Sequence, residues 1–306
     1  CNNSTTLPLF FSNRYRDEKR ALSVIAAVLI IIFFVPYTAS GFAACGKLFA
    51  NLFGLDYVPA MIISAIVIVA YTTLGGFLAA STTDFVQSIV MTLAIIVVFG
   101  FGITKVGSFE AVMANAQSMA GYFSLTQIHD AATGTALPYG ILTIFSMLAW
   151  GLGYCGMPHI LIRFMAIRSE KELKKSSAIA IVWVVLSLGF TIAIGLLGRA
   201  FLYPEILGVT EGAPSAESVF IEMIQKVFIE KIPIPFIAGL FICGILAAVM
   251  STADSQLLVC SSSVSKDIYQ NILNPEASDK KVLNVARLTT FGVAVLAFFI
   301  AWDPNS

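Results

Sequence analysis

Charge is scarce in this chain: Asp, Glu, Lys and Arg together make up 12% of its 306 residues, with acids and bases balanced at 18 each. So little charge excludes the wetted surface of a soluble globular domain, and a net charge of zero gives no pull toward nucleic acid. Histidine is nearly absent. His129 and His159 stand far apart, with no cysteine or carboxylate cluster beside either, so neither is expected to ligate a metal. No serine or cysteine stands in an activating arrangement with them, so the chain is not expected to be an enzyme. Four of the five cysteines, Cys45, Cys155, Cys243 and Cys260, lie singly in apolar runs. They imply no disulfide framework and are expected to pack as small apolar groups.

What the chain has instead is apolar length, with 58% hydrophobic residues and a mean hydropathy of +0.88. A helix needs about 20 mainly apolar residues to cross a bilayer. Windows of that size predict seven spans, at about 21–50, 58–80, 85–106, 139–166, 177–202, 235–264 and 283–302. The expectation is an all-α polytopic membrane protein forming a single transmembrane domain over 1–306, in contact with membrane lipid. If the first span runs outward, segments 13–20, 163–175 and 263–287 are cytoplasmic and carry thirteen of the eighteen basic residues, as the positive-inside rule requires. The chain opens on Cys1 and stops at DPNS soon after a span, so a piece of a longer protein is expected.

Local signals refine the spans. Pro36, with Ser40 and Gly41, is expected to bend the first. The STTD stretch at 81–84 predicts a turn between the second and third, with Ser81 or Thr82 as a helix cap and Asp84 in the first turn. In the connection 107–138, GSFEAVMANAQSMAGYF predicts a short surface helix and HDAATGTALPYG an irregular stretch. In the connection 203–234, Val219, Phe220, Met223, Ile224 and Val227 recur at helical spacing. That segment should lie amphipathically over the outer mouth, either as a passive helix or as a lid.

Two stretches carry chemistry. In WGLGYCGMPHILIRF, Gly151, Gly153, Gly156 and Pro158 fall close together; each Gly costs a helix about 1 kcal/mol and an interior Pro about 3. A broken helix is expected, and backbone freed at membrane depth survives where it lines a cavity or is buried by protein. Trp150 and Tyr154 are one turn apart beside the break. They suit a small organic ligand, with ordinary aromatic packing as the alternative. In LAAVMSTADSQLLVCSS, Ala248, Ser251, Thr252 and Ser255 share one helix face. Two adjacent hydroxyls with the Ala248 carbonyl one turn back suit a hard monovalent cation; bonding back to the helix's own carbonyls is the alternative. Asp254 flanks that face, as a hydrogen-bond hub or an ion relay, because a membrane carboxylate must face protein or water.

These stretches, together with GGFLAASTTDFVQ, resemble the sodium:solute symporter family, and the resemblance runs through the whole chain. It implies a leucine-transporter-like inverted-repeat bundle, incomplete here, in which the spans correspond to core helices three to nine. Carried over residue by residue, it makes Ala248, Ser251 and Thr252 sodium ligands and Asp84 a residue of sodium coupling. Trp150, Tyr154, Pro158 and Tyr37 become the substrate wall. The implied activity is sodium-coupled uptake of a small organic solute, proline first among the candidates, across the plasma membrane, with sodium as coupling ion and no other cofactor. Met157 departs from the Gln usual in proline carriers of the family, which leaves another solute open. The same domain serving as the solute sensor of a signalling kinase, or a channel, are the rival readings.

Overall fold

The computed structural model describes residues 4–210, 215–231 and 234–303. Helix α1 spans Leu7–Tyr15, where Thr6 Oγ1 accepts from the Leu9 N–H at 3.3 Å and Pro8 sits in the first turn. Helix α2, Ala21–Phe53, carries Pro36 without interruption and ends at Gly54, whose φ of +63° suits glycine. Helix α3, Tyr57–Val106, takes in both the second and the third expected spans. Its only departure from helical geometry is at Gly76 (φ 60°, ψ −159°), a conformation open to glycine alone without strain.

The expected turn at 81–84 is therefore corrected. The hydroxyls of Thr82 and Thr83 donate to the carbonyls of Leu78 and Ala79, at 2.9 and 3.0 Å, so the helix passes through STTD. Neither Ser81 nor Thr82 caps a helix, and Asp84 stands in the interior of α3.

Helix α4, Phe109–Gln117, is capped by Ser108, whose Oγ accepts from the Ala111 N–H at 3.1 Å. The stretch expected to be irregular instead forms a hairpin, β1 (Gln127–His129) antiparallel to β2 (Ala136–Pro138). Asp130 closes its loop by accepting from the Ala132 N–H at 3.0 Å and the Thr133 hydroxyl at 2.6 Å. The Thr133 hydroxyl, and after it the Ala132 amide, hold the Asp130 carboxyl below the usual carboxylate range. Gly134 follows at φ +70°.

The next span is broken, as α5 (Ile141–Tyr154) and α6 (Pro158–Met165). Helix α7, Glu170–Leu202, starts earlier than the apolar window because KELKKSS is good helix-forming sequence and Ser169 Oγ accepts from the Glu172 N–H at 3.3 Å. Helix α8, Val219–Gln225, continues into a π-type turn at Lys226–Lys231. Helix α9, Pro235–Ser262, continues as a π-type stretch to Leu273, and α10 covers Asp279–Ile300. Six of these helical stretches are long and apolar enough to cross a membrane, α3 counting once.

The residues gather into two compact units, with boundaries inside α3 at 87/88, between α5 and α6 at 155/156, inside α7 at 173/174 and inside α9 at 245/246. A helix much longer than one packing layer can give each end a different set of neighbours, which hydropathy windows do not register. The first unit holds 1–87, 156–173 and 246–306, the second 88–155 and 174–245.

The first unit's core joins Phe34, Phe42, Met61, Ile68, Leu257 and Ala297. Gly46 lets α2 and α3 approach so closely that a Cβ there would lie 2.8 Å from the Tyr57 ring. In the second unit, Met223, Ile224, Val227 and Phe228 pack on Ile194, Leu197 and Phe201. The apolar face of 219–228 is thus buried within its own unit. Cys45 and Cys260 are buried as expected, whereas Cys155 and Cys243 are exposed and pack no core.

Candidate functional site

The middle of α9 places its polar groups on one side by helical spacing. The Ala248 carbonyl accepts from Ser251 Oγ and from Thr252 Oγ1, each at 3.1 Å. A hydroxyl that donates backward in this way turns its lone pairs outward, so the two adjacent oxygens are acceptors with no proton in the way. Ser251 and Thr252 are half-buried. Such a set of neutral oxygens fits a small monovalent cation and lacks the carboxylates that divalent ions use.

One turn on, Ser255 Oγ donates to the Ser251 carbonyl at 2.8 Å and itself accepts from the Arg163 guanidinium at 2.6 Å. Arg163, in the last turn of α6, also pairs with Asp84 of α3. Asp254 is fully buried, its Oδ2 accepting from the Tyr71 phenol at 2.9 Å and its Oδ1 lying 3.2 Å from Ser255 Oγ. The chain Asp84, Arg163, Ser255, Asp254, Tyr71 ties α3, α6 and α9 together inside the first unit. Only Asp84 pairs with the guanidinium; Asp254 is linked to it through Ser255, and Asp84 Oδ1 is buried with no hydrogen-bond partner.

The expected substrate wall is distributed. Pro158 is the first residue of α6 and, with Tyr37, belongs to the first unit. The Tyr37 ring lies 6.5 Å from the imidazole of His159, which is edge-on to Phe34 at 5.5 Å. Trp150 and Tyr154 belong to the second unit, where their rings meet edge to face at 5.3 Å and remain exposed, 62% and 44% respectively. Between the two pairs, Met157 is extended (φ −64°, ψ 114°), so the break consists of the residues Cys155–Met157.

Arg163, Tyr71 and Gln256 are absent from the sequence-derived site. Arg163 was legible only as one more basic residue after a span, and Tyr71 as one more aromatic within one. Gln256 is fully buried and accepts from the Thr38 hydroxyl at 3.3 Å, while its Nε2 has no partner. A run of three polar residues, Asp254 to Gln256, in an apolar helix was the available signal for it.

Comparison with known proteins decides the family. The model of the sodium:solute symporter family matches residues 1–306. The chain belongs to that family. A sodium/proline symporter of Haemophilus influenzae is 40% identical over 310 residues, covering 100% of this chain and 58% of the relative. The high-affinity proline transporter PutP of Bacillus subtilis is 38% identical, covering 99% of this chain and 60% of the relative. The osmoregulated proline transporter OpuE of the same organism is 36% identical, covering 100% and 58%. The chain thus spans a little over half the length of these relatives. Among solved structures, a sodium-coupled sialic acid symporter in a substrate-bound outward-open state superposes with a TM-score of 0.73 at 19% identity, covering 90% of this chain and 57% of that one. The fold is therefore all-α and leucine-transporter-like, and this family member is a multi-pass protein of the plasma membrane.

Proposed function

We propose that the chain is the membrane part of a carrier that couples inward sodium flow to uptake of proline by alternating access. The observation that carries this reading is that relatives 36–40% identical across essentially the whole chain are named sodium/proline symporters or proline transporters. The residues support it. Ala248, Ser251 and Thr252 present the neutral oxygens of a sodium half-site, and Asp84 acts on that site through Arg163 and Ser255. Pro158 and Tyr37 in the first unit, and Trp150 and Tyr154 in the second, each offer apolar or aromatic surface suited to a pyrrolidine ring. Segments 13–20, 163–175 and 263–287 face the cytoplasm by their basic residues.

One charge moved through 100 mV releases about 2.3 kcal/mol, enough for roughly 50-fold accumulation of a solute. Sodium, bound where Arg163 already orders the inner end of α6, stabilises the substrate-competent arrangement, and substrate must raise sodium affinity by the same factor. The test is proline uptake by cells or vesicles carrying the full-length protein, with sodium replaced by choline. Uptake should fall to background; uptake that persists would overturn the reading.

A further inference from the structure

The first unit contains a cavity of about 420 Å³ between α6, the inner half of α9 and the segment preceding α1. Its polar lining includes Arg163, Lys266, His159, Thr5, Ser261 and Ser262, and its remaining walls are mostly apolar side chains of α6 and α9. The lining holds two fixed cations and no acidic residue among the described residues. His159 Nδ1 is buried with no hydrogen-bond partner. Asp84, which pairs with Arg163, lies outside the lining, and Asp267 stands next to Lys266 in sequence and accepts from the lining Thr6, so the exposed Lys266 ammonium is the positive charge the cavity has available.

A half-open space lined by cationic and hydroxyl groups together with hydrocarbon matches a small organic anion with an apolar body. A solute charged only as a cation would find no carboxylate in the lining, and a neutral apolar solute would leave its donors unmet, whereas an amino acid offers a carboxylate to the cations while its ammonium can donate to the Thr5, Ser261 and Ser262 hydroxyls. At on the order of 30 Å³ for each water-sized element, its volume accommodates a molecule of roughly fourteen heavy atoms or fewer.

We infer that this cavity is a carboxylate-recognising site on the cytoplasmic side, which engages the carboxylate of an amino acid through Lys266 and the cationic face of Arg163. The inference deepens the transport reading and rests on it for the side of the membrane. In that setting the site holds the solute after release from the aromatic wall, so that cytoplasmic solute slows further inward transport. Lys266 is solvent-exposed at one edge, where it can follow an anion in and out.

The experiment uses the full-length protein in vesicles, with sodium-driven proline uptake measured against compounds loaded on the cytoplasmic side. Cyclopentanecarboxylate, which keeps the carboxylate and loses the ring nitrogen, should inhibit; pyrrolidine, which keeps the nitrogen and loses the carboxylate, should not. In Lys266→Gln the ratio of the internal half-inhibitory concentration of cyclopentanecarboxylate to the external half-saturating proline concentration should rise about threefold to fivefold, and Lys266→Arg should restore it. Equal inhibition by pyrrolidine, or an unchanged ratio in Lys266→Gln, overturns the site. Internal acetate separates sources: weaker inhibition than by proline assigns the site to the exiting solute, and equal inhibition to cytosolic carboxylates in general. If uptake proves independent of sodium and proline, the transport reading fails by itself. The cavity is then judged by calorimetric titration of cyclopentanecarboxylate into the solubilised full-length protein, where equal binding by wild type and Lys266→Gln overturns it.

Discussion

The two units bury different things. Of the sixteen polar or charged residues that are buried among those described, fifteen belong to the first unit, and the second contributes only Ser218. The first unit encloses Asp254, Gln256, Asp267 and a row of hydroxyls, whereas the second closes on Val98, Leu197, Met223, Ile224 and their apolar neighbours. Burying a carboxylate in a membrane protein is costly and is retained where it does something. Under the proposed transport reading, the contrast places ion handling in the first unit and leaves the second an apolar support.

The strongest way to break this division is Arg163→Ala. Removing the only guanidinium in the Asp84 cluster leaves a carboxylate 13% exposed without its counter-charge, a loss of about 3–5 kcal/mol for a pair of this kind. Uptake per molecule at the membrane should fall at least about a hundredfold, and Arg163→Lys should recover only part of it, because a point charge cannot serve Asp84 and Ser255 with the same geometry. Initial-rate uptake normalised to surface protein checks it; near-normal rates would remove Arg163 from the mechanism.

Met223→Ala examines the other side. Met223 is fully buried in the second unit's core, and truncation should lower stability by about 2–5 kcal/mol. The melting temperature of the purified full-length protein should drop, while the sodium half-saturation of the surviving molecules stays within twofold of wild type. A large shift in sodium dependence would mean that the second unit is more than support. The double change Ser251→Ala with Thr252→Ala should do the reverse. Loss of two hydroxyl contacts to a cation, about 1.5–3 kcal/mol, raises the sodium half-saturation about tenfold or more with little change in melting.

The division was only partly visible in the sequence. Hydropathy located the spans, and the Gly and Pro of WGLGYCGMP marked the break between α5 and α6, because those two residue types alter the backbone whatever surrounds them. The same reasoning misplaced the bend in α3. Hydroxyl and acidic residues at 81–84 resemble a cap, but threonines satisfied by their own helix leave it intact, and the departure falls on Gly76. The hydroxyl face of α9 was legible from spacing alone. The Asp84–Arg163–Ser255 chain was not, since it joins residues 79 and 92 positions apart, and no periodicity encodes a pairing between helices.

Tyr71→Phe is the smallest change and separates the two roles open to Asp254. The phenol donates to Asp254 Oδ2 at 2.9 Å and lies 3.3 Å from the Met250 carbonyl, so it ties α3 to α9 at a point beside the Ser251–Thr252 pair. Its removal deletes one half-buried hydrogen bond and leaves ring and backbone in place, a loss of about 1 kcal/mol. If Asp254 is a hub, that loss appears as a lower melting temperature, and the sodium half-saturation stays within about twofold. If Asp254 relays an ion, the loss appears instead in the sodium dependence, by roughly fivefold, because the carboxylate's field at the pathway changes while packing does not. The hub is the expected outcome. Asp254 is already held by Tyr71 on one oxygen and faces Ser255 on the other, and a carboxylate so fully engaged has little coordination left to offer a passing ion.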